Sequence, residues 1–315
     1  QGYGMVSIIF STASIFASYA FGYYFIKDLK KIDSDLVAIN WFRAAAVFNI
    51  ISSFGTFYLA YMMATKNIIQ DLYLSSIYYF LHFQYNGWFF FACMGLFFGF
   101  LKLKKSDNPF YDTSFKLFAI ACIPAYFLSI LWLKIPIWIY IITVIAAIIQ
   151  VFAWFKLVFI IAKEQKEFLK NLVPILRYIL VFVSLALSIK LILQLGSTIP
   201  ALSQLAFGFR PIVIAYLHLV LLAVISLFLL FYIYVNHFVT INKNIKKGLF
   251  IFSIGVFLNE LVLAIQGVTS FSYTIIPYVN ELLFAIALLL LLGIGTTTFY
   301  SIKKVKNNAD LLLKS

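Results

Sequence analysis

Charge is scarce in this chain. Of 315 residues only 11% are charged, while 64% are hydrophobic. A soluble domain of this length carries about a quarter charged residues, so a water-soluble fold is excluded. Cysteine is equally rare: Cys93 and Cys122 are the only two, both inside apolar runs. They build no disulfide framework and read as small apolar packers. Acids are outnumbered by bases, 11 against 24, for a net charge of +13. That excess does not signal nucleic acid, because the basic residues fall in short clusters between apolar runs and form no phosphate-binding face. Period-two alternation is missing, which excludes a membrane barrel. No repeat, low-complexity stretch or linker marks a second domain. The chain begins at Gln1 with no basic segment before the first apolar run, which does not read as a signal peptide. Gln1–Tyr3 looks like the middle of a loop, and upstream helices are expected to be missing.

What is present is a series of long apolar runs between charge clusters. They predict an all-α polytopic transmembrane bundle, one domain over 1–315, with about nine spans near 4–26, 37–62, 72–101, 115–133, 135–162, 171–194, 211–235, 248–268 and 276–300. Only helices satisfy their own backbone in lipid. Lysines at 27, 30 and 31; 102, 104, 105 and 116; 163, 166 and 170; 243, 246 and 247; and 303, 304, 306 and 314 fall on one side of these spans. Lys66, Lys134 and Arg210 fall on the other. The positive-inside rule then predicts the N-terminal end outside and the C-terminus in the cytoplasm of a bacterial cytoplasmic membrane. Arg43, Lys156, Arg177 and Lys190 lie near span ends and are read as snorkelling anchors.

Ionisable residues inside a membrane point to function by default. His82 in the third span, His218 in the seventh and Glu260 in the eighth are all expected in the outer half of the bilayer, and His82 and His218 are expected to face one cavity. His237 lies at a cytoplasmic mouth as an interface residue. Asn49, Ser52, Ser53, Gly55 and Thr56 in the second span read as close helix packing. Two neutral imidazoles at one depth suit a metal or haem, each needing a partner for its second nitrogen. Tyr78, Gln84, Tyr85 and Tyr216 are candidate partners. No Cys-x-x-Cys-His, zinc-protease motif, Ser/His/Asp set or phosphate loop occurs.

The stretches Tyr79–Trp88 (YFLHFQYNGW) and Phe209–Leu221 (FRPIVIAYLHLVL) resemble those of shorter Bacteroidetes membrane proteins distantly similar to haem–copper oxidase subunit I. In that family a late span carries a His-x-His pair that ligates two haems. Tyr216-Leu217-His218 resembles it with Tyr in place of the first His. An earlier span carries a copper-ligand His with a polar residue or Tyr one turn on, to which His82 with Tyr85 and Asn86 is similar in kind. The resemblance implies a haem b or metal site using His218 and His82, with Tyr216, Tyr85 and Asn86 nearby; Arg210, at the outer end of the seventh span, is placed to pair with propionates, and Glu260, as an acid within a span, is the proton-relay candidate. The adjacent His-His pair of the copper site has no counterpart, which argues against copper and a full oxygen-reducing centre. The expected function is electron transfer or O2/NO handling, an oxidoreductase role with other membrane subunits or an electron donor as partners. The alternatives are a proton-coupled or small-molecule transporter and a non-catalytic structural subunit.

Overall fold

The computed structural model describes residues 5–274 and 276–312. Helix α1 is Met5–Leu29 and α2 is Ala38–Thr65. Helix α3 (Gln70–His82) passes without interruption through a π-helical turn, Phe83–Phe89, into α4 (Phe90–Leu101). Helix α5 (Pro109–Cys122) meets the 3-10 segment Pro124–Ile130 at 44°. Then come α6 (Ile137–Glu164), the short α7 (Lys166–Asn171), α8 (Pro174–Gly196) and α9 (Pro200–Gly208). Helix α10 (Arg210–His218) runs through a second π segment, Leu219–Ser226, into α11 (Leu227–Val235). Helices α12 (Lys243–Ser270) and α13 (Val279–Leu312) complete the chain. No strand occurs among the described residues; a lone bridge joins Leu36 and Lys104.

The element starts follow from local chemistry. Pro109, Pro124, Pro174, Pro200 and Pro211 each occupy the first turn of a helix, where a missing N–H costs nothing. Asn108 and Asn242 cap α5 and α12, their side chains accepting from Phe110 N and Ile245 N at 2.8 Å. Among the described residues seven helices are long and apolar enough to cross a membrane, or eight if the bent pair at Pro124 is one span. The stretch 72–101, also expected as a span, is not among them: His82, Gln84 and Asn86 dilute its apolar character. The expected span 115–133 is corrected by the structure. It begins at Pro109 and breaks at Pro124, whose ring cannot continue an α-helix.

Apolar side chains lie on the outside as well as the inside. Phe10 (71% exposed), Ile137 (70%), Phe159 (68%) and Leu291 (63%) have no protein cover, an arrangement stable in lipid and not in water.

The chain divides into two compact units, 1–157 and 158–315, with the boundary inside α6. In the first, α2 is the central helix, packed by α1, α3, the π turn, α4 and α5. Trp41, fully buried, meets Phe91 at 5.1 Å, Phe115 at 5.5 Å and Phe98 at 5.9 Å between ring centroids. Close approach needs Gly55, where a Cβ would lie 2.6 Å from the Ser76 carbonyl oxygen. In the second unit, α12 and α13 form the tightest pair; a Cβ on Gly293 would lie 2.5 Å from Phe252 N.

The order of elements recurs at a spacing that the residues alone do not reveal. His82 and His218 stand 136 positions apart (218 − 82), each closes an α-helix, and a π segment begins at the next residue in both. π turns are rare and collect at functional sites.

Candidate functional site

His82 is 2% exposed. Its Nε2 lies 2.9 Å from the Cys122 carbonyl oxygen, and its Nδ1 lies 3.3 Å from Asn86 Nδ2. A carbonyl only accepts, so Nε2 carries the proton and Nδ1 accepts from the amide. The recipient is exposed by sequence: Pro124 ends α5, Tyr126 N–H turns to Ile123 O at 3.2 Å, and the Cys122 carbonyl at the helix end is met by the imidazole. The Cys122 thiol, 3.9 Å from Nε2, donates to the Asn86 carbonyl at 3.7 Å. Tyr126 flanks the ring and donates to Ser75 O at 3.1 Å. Both nitrogens of His82 are thus engaged in joining α3, the π turn and the bent α5.

The π turn also carries Gln84, whose amide donates to Asn49 Oδ1 at 3.1 Å and Ser52 Oγ at 2.6 Å. Ser53 on α2 bonds the Tyr19 hydroxyl of α1. The polar stripe of the second span therefore serves helix packing, as its residue types imply. Tyr85 is half-buried and stacks on Phe89 at 6.0 Å.

His218 differs in kind. It is half-buried, and Nδ1–H donates to the Ile214 carbonyl at 2.9 Å, which fixes the tautomer. Nε2 is left as a lone pair with no hydrogen-bond partner among the described residues. That is the state of a ligating imidazole, oriented by its other nitrogen on a backbone carbonyl. Arg210, exposed, opens α10 eight residues earlier, about 12 Å up the helix at 1.5 Å per residue. Tyr216 is half-buried on the same helix.

Glu260, half-buried on α12, accepts from Asn259 Nδ2 at 3.3 Å. Helix α12 packs along α10: Gly267 faces Ile212, and the rings of Phe271 and Phe209 lie 6.1 Å apart. Lys190 departs from its expected role as an anchor. At 6% exposure it is buried on α8 with Leu187, Leu191 and Gln194, because the helix that carries it packs against the second π segment and α11. Of the other three, Lys156 lies 4.3 Å over the Phe110 ring, Arg177 donates to the carbonyls of Lys170 and Leu172, and Arg43 is half-buried. His237 is exposed in the turn after α11.

The structure thus joins His82 with Asn86 in the first unit, and sets His218, Arg210, Tyr216 and Glu260 in the second. Among the described residues no three His, Cys, Asp or Glu side chains converge as a metal site. Residue reading missed the Cys122 carbonyl, which has no side-chain signature, and Gln194, whose Oε1 is buried without a partner. Comparison with family models, with curated proteins and with solved structures finds no match to this chain.

Proposed function

We propose that this is a nine-span protein of the bacterial cytoplasmic membrane, with its C-terminal tail in the cytoplasm, that binds a haem or metal through His218 and works in electron transfer or the handling of O2 or NO. The observation that carries this reading is the His218 ring, held by Ile214 O with its Nε2 lone pair open. A haem b would be held by His218, with Arg210, exposed some 12 Å up the helix, placed to pair with a propionate. When bound, the group supplies a one-electron couple and a coordination position for a diatomic gas. The chain's own part is to hold one imidazole in a fixed tautomer and orientation.

The test is the absorption spectrum and metal content of the purified full-length protein. A Soret band or stoichiometric metal, lost in His218→Ala, supports the reading; a colourless, metal-free protein removes it.

One observation favours a second reading, a transporter. Helix irregularities at corresponding places in two halves are the mark of many transport folds, and the π segments after His82 and His218 have that correspondence. Uptake into proteoliposomes by a colourless protein selects this reading.

A further inference from the structure

Cys122 presents two atoms to the His82 imidazole. Its carbonyl oxygen lies 2.9 Å from Nε2 and its thiol sulfur 3.9 Å from the same nitrogen. Both residues are buried. The carbonyl alone closes the helix end, and any residue at position 122 would supply it. The thiol is not needed for that joint, yet it is the side chain set against the ring.

Metal bonds of about 2.3 Å to sulfur and 2.0–2.1 Å to nitrogen put two ligands about 3.6 Å apart at a tetrahedral angle and about 4.4 Å apart in line. The 3.9 Å between Cys122 Sγ and His82 Nε2 falls between these limits. We infer that Cys122 Sγ and His82 Nε2 together bind a soft monovalent cation, of the Cu+ class, inside the first unit. The site is separate from His218 and does not rest on the reading of that residue.

The surroundings select the ion. A thiolate beside an imidazole is a soft donor set. No third His, Cys, Asp or Glu joins the pair among the described residues, whereas a structural zinc ion takes four ligands. A soft monovalent ion is satisfied by two. Charge points the same way. Phe83 and Tyr126 flank the imidazole, with ring centroids at 5.0 and 6.1 Å, and the Tyr126 hydroxyl is turned to Ser75 O. Net charge within such walls is costly. A thiolate and a monovalent cation sum to zero, and a divalent ion would leave a positive charge over.

The neighbours can follow the change of state. On binding, the thiol proton goes to solvent, one for each ion taken up. The imidazole stays neutral by exchanging its Nε2 proton for one on Nδ1, which frees the Nε2 lone pair for the ion. Asn86 Nδ2 stands 3.3 Å from Nδ1. A half-turn of that amide puts Oδ1 in the same place, where it accepts the new Nδ1–H. A ligating imidazole is held through its other nitrogen in this way. Asn86 therefore serves both tautomers, which an apolar residue could not do. The break in α5 gives a way in, because Ile123, between Cys122 and Pro124, is exposed.

The experiment is anaerobic titration of the purified full chain with Cu+ against a Cu+-chelating dye, with Ag+ as a redox-inert check and haem content read in parallel. One ion per chain is expected, with release of one proton and growth of the thiolate-to-metal absorption in the ultraviolet. Two variants separate the ion from the fold: Cys122→Ala keeps the carbonyl, and His82→Gln keeps an N–H to meet it. Both are expected to weaken binding by about a hundredfold or more, and Asn86→Leu, which spares both ligands, by about 10–100-fold. Cys93→Ala and His218→Ala are expected to bind as the native chain does. No uptake by the native chain overturns the inference, as does unchanged uptake in Cys122→Ala or His82→Gln. Loss in Cys93→Ala instead of Cys122→Ala assigns the ion to the other thiol and overturns it as well. Loss in His218→Ala alone overturns it while supporting a metal at His218.

Discussion

The Nε2–H of His82 donates to the Cys122 carbonyl at 2.9 Å across 40 residues of chain, so one imidazole closes the helix end that Pro124 opens. Removing the donor leaves a buried carbonyl unpaired, at a cost of about 1–3 kcal/mol, with a cavity term in addition. His82→Ala is expected to lower thermal stability in detergent clearly. His82→Gln, whose amide N–H reaches the same acceptor, is expected to recover part of the loss. Equal stabilities for the native and Ala forms would show that the carbonyl finds another donor.

The Gln84 amide binds two side chains of α2, Asn49 and Ser52. Gln84→Leu strands the buried Asn49 carbonyl oxygen and is expected to destabilise by about 1–3 kcal/mol. Tyr19→Phe, which removes a hydroxyl from the part-buried pair with Ser53, is expected to cost about 0.5–1.5 kcal/mol. Denaturation of the two variants side by side checks the order; the reverse order would mean that α1 and not the π turn anchors this stripe.

Two glycines on α13 separate packing from propensity. A Cβ on Gly293 would press on Phe252 N and Cα at 2.5 and 2.8 Å, whereas one on Gly295 meets nothing within 4 Å. Gly293→Ala is expected to destabilise by about 1–3 kcal/mol through overpacking. Gly295→Ala is expected to stabilise by about 0.4–1 kcal/mol, since it only restricts the unfolded chain. Thermal melts of both variants decide it, and a stabilised Gly293→Ala would mean that α12 and α13 are less closely packed.

These contrasts show which features the residues declare. Expected spans 211–235 and 171–194 agree closely with Arg210–Val235 and Pro174–Gly196, because Pro211 and Pro174 start helices and hydropathy falls sharply at the charged ends. The π segments are illegible: Leu219–Ser226 is as apolar as the α-helix that follows it, and an added residue per turn leaves no trace in hydropathy. Pro124 was visible, but the apolar run continues through it and conceals the break. The two histidines looked alike in the chain; only the backbone partners, Cys122 O for one and Ile214 O for the other, set them apart. Glu260 was legible because a carboxylate amid apolar neighbours is conspicuous.

Orientation is the remaining expectation, and the protein is well suited to measure it. Both native thiols, Cys93 and Cys122, are buried and shielded from a membrane-impermeant maleimide. Lys247 lies in the first turns of α12, and Tyr273 lies beyond its far end with 83% of its surface exposed. Helix α12 spans 28 residues, about 42 Å at 1.5 Å per residue and enough to cross a bilayer. By the positive-inside rule the lysine excess at 243, 246 and 247 is expected to set that end in the cytoplasm. In intact cells Tyr273→Cys is expected to label, and Lys247→Cys to label only after the membrane is opened. The opposite pattern would invert the topology, and labelling of both in intact cells would mean that α12 does not cross the membrane.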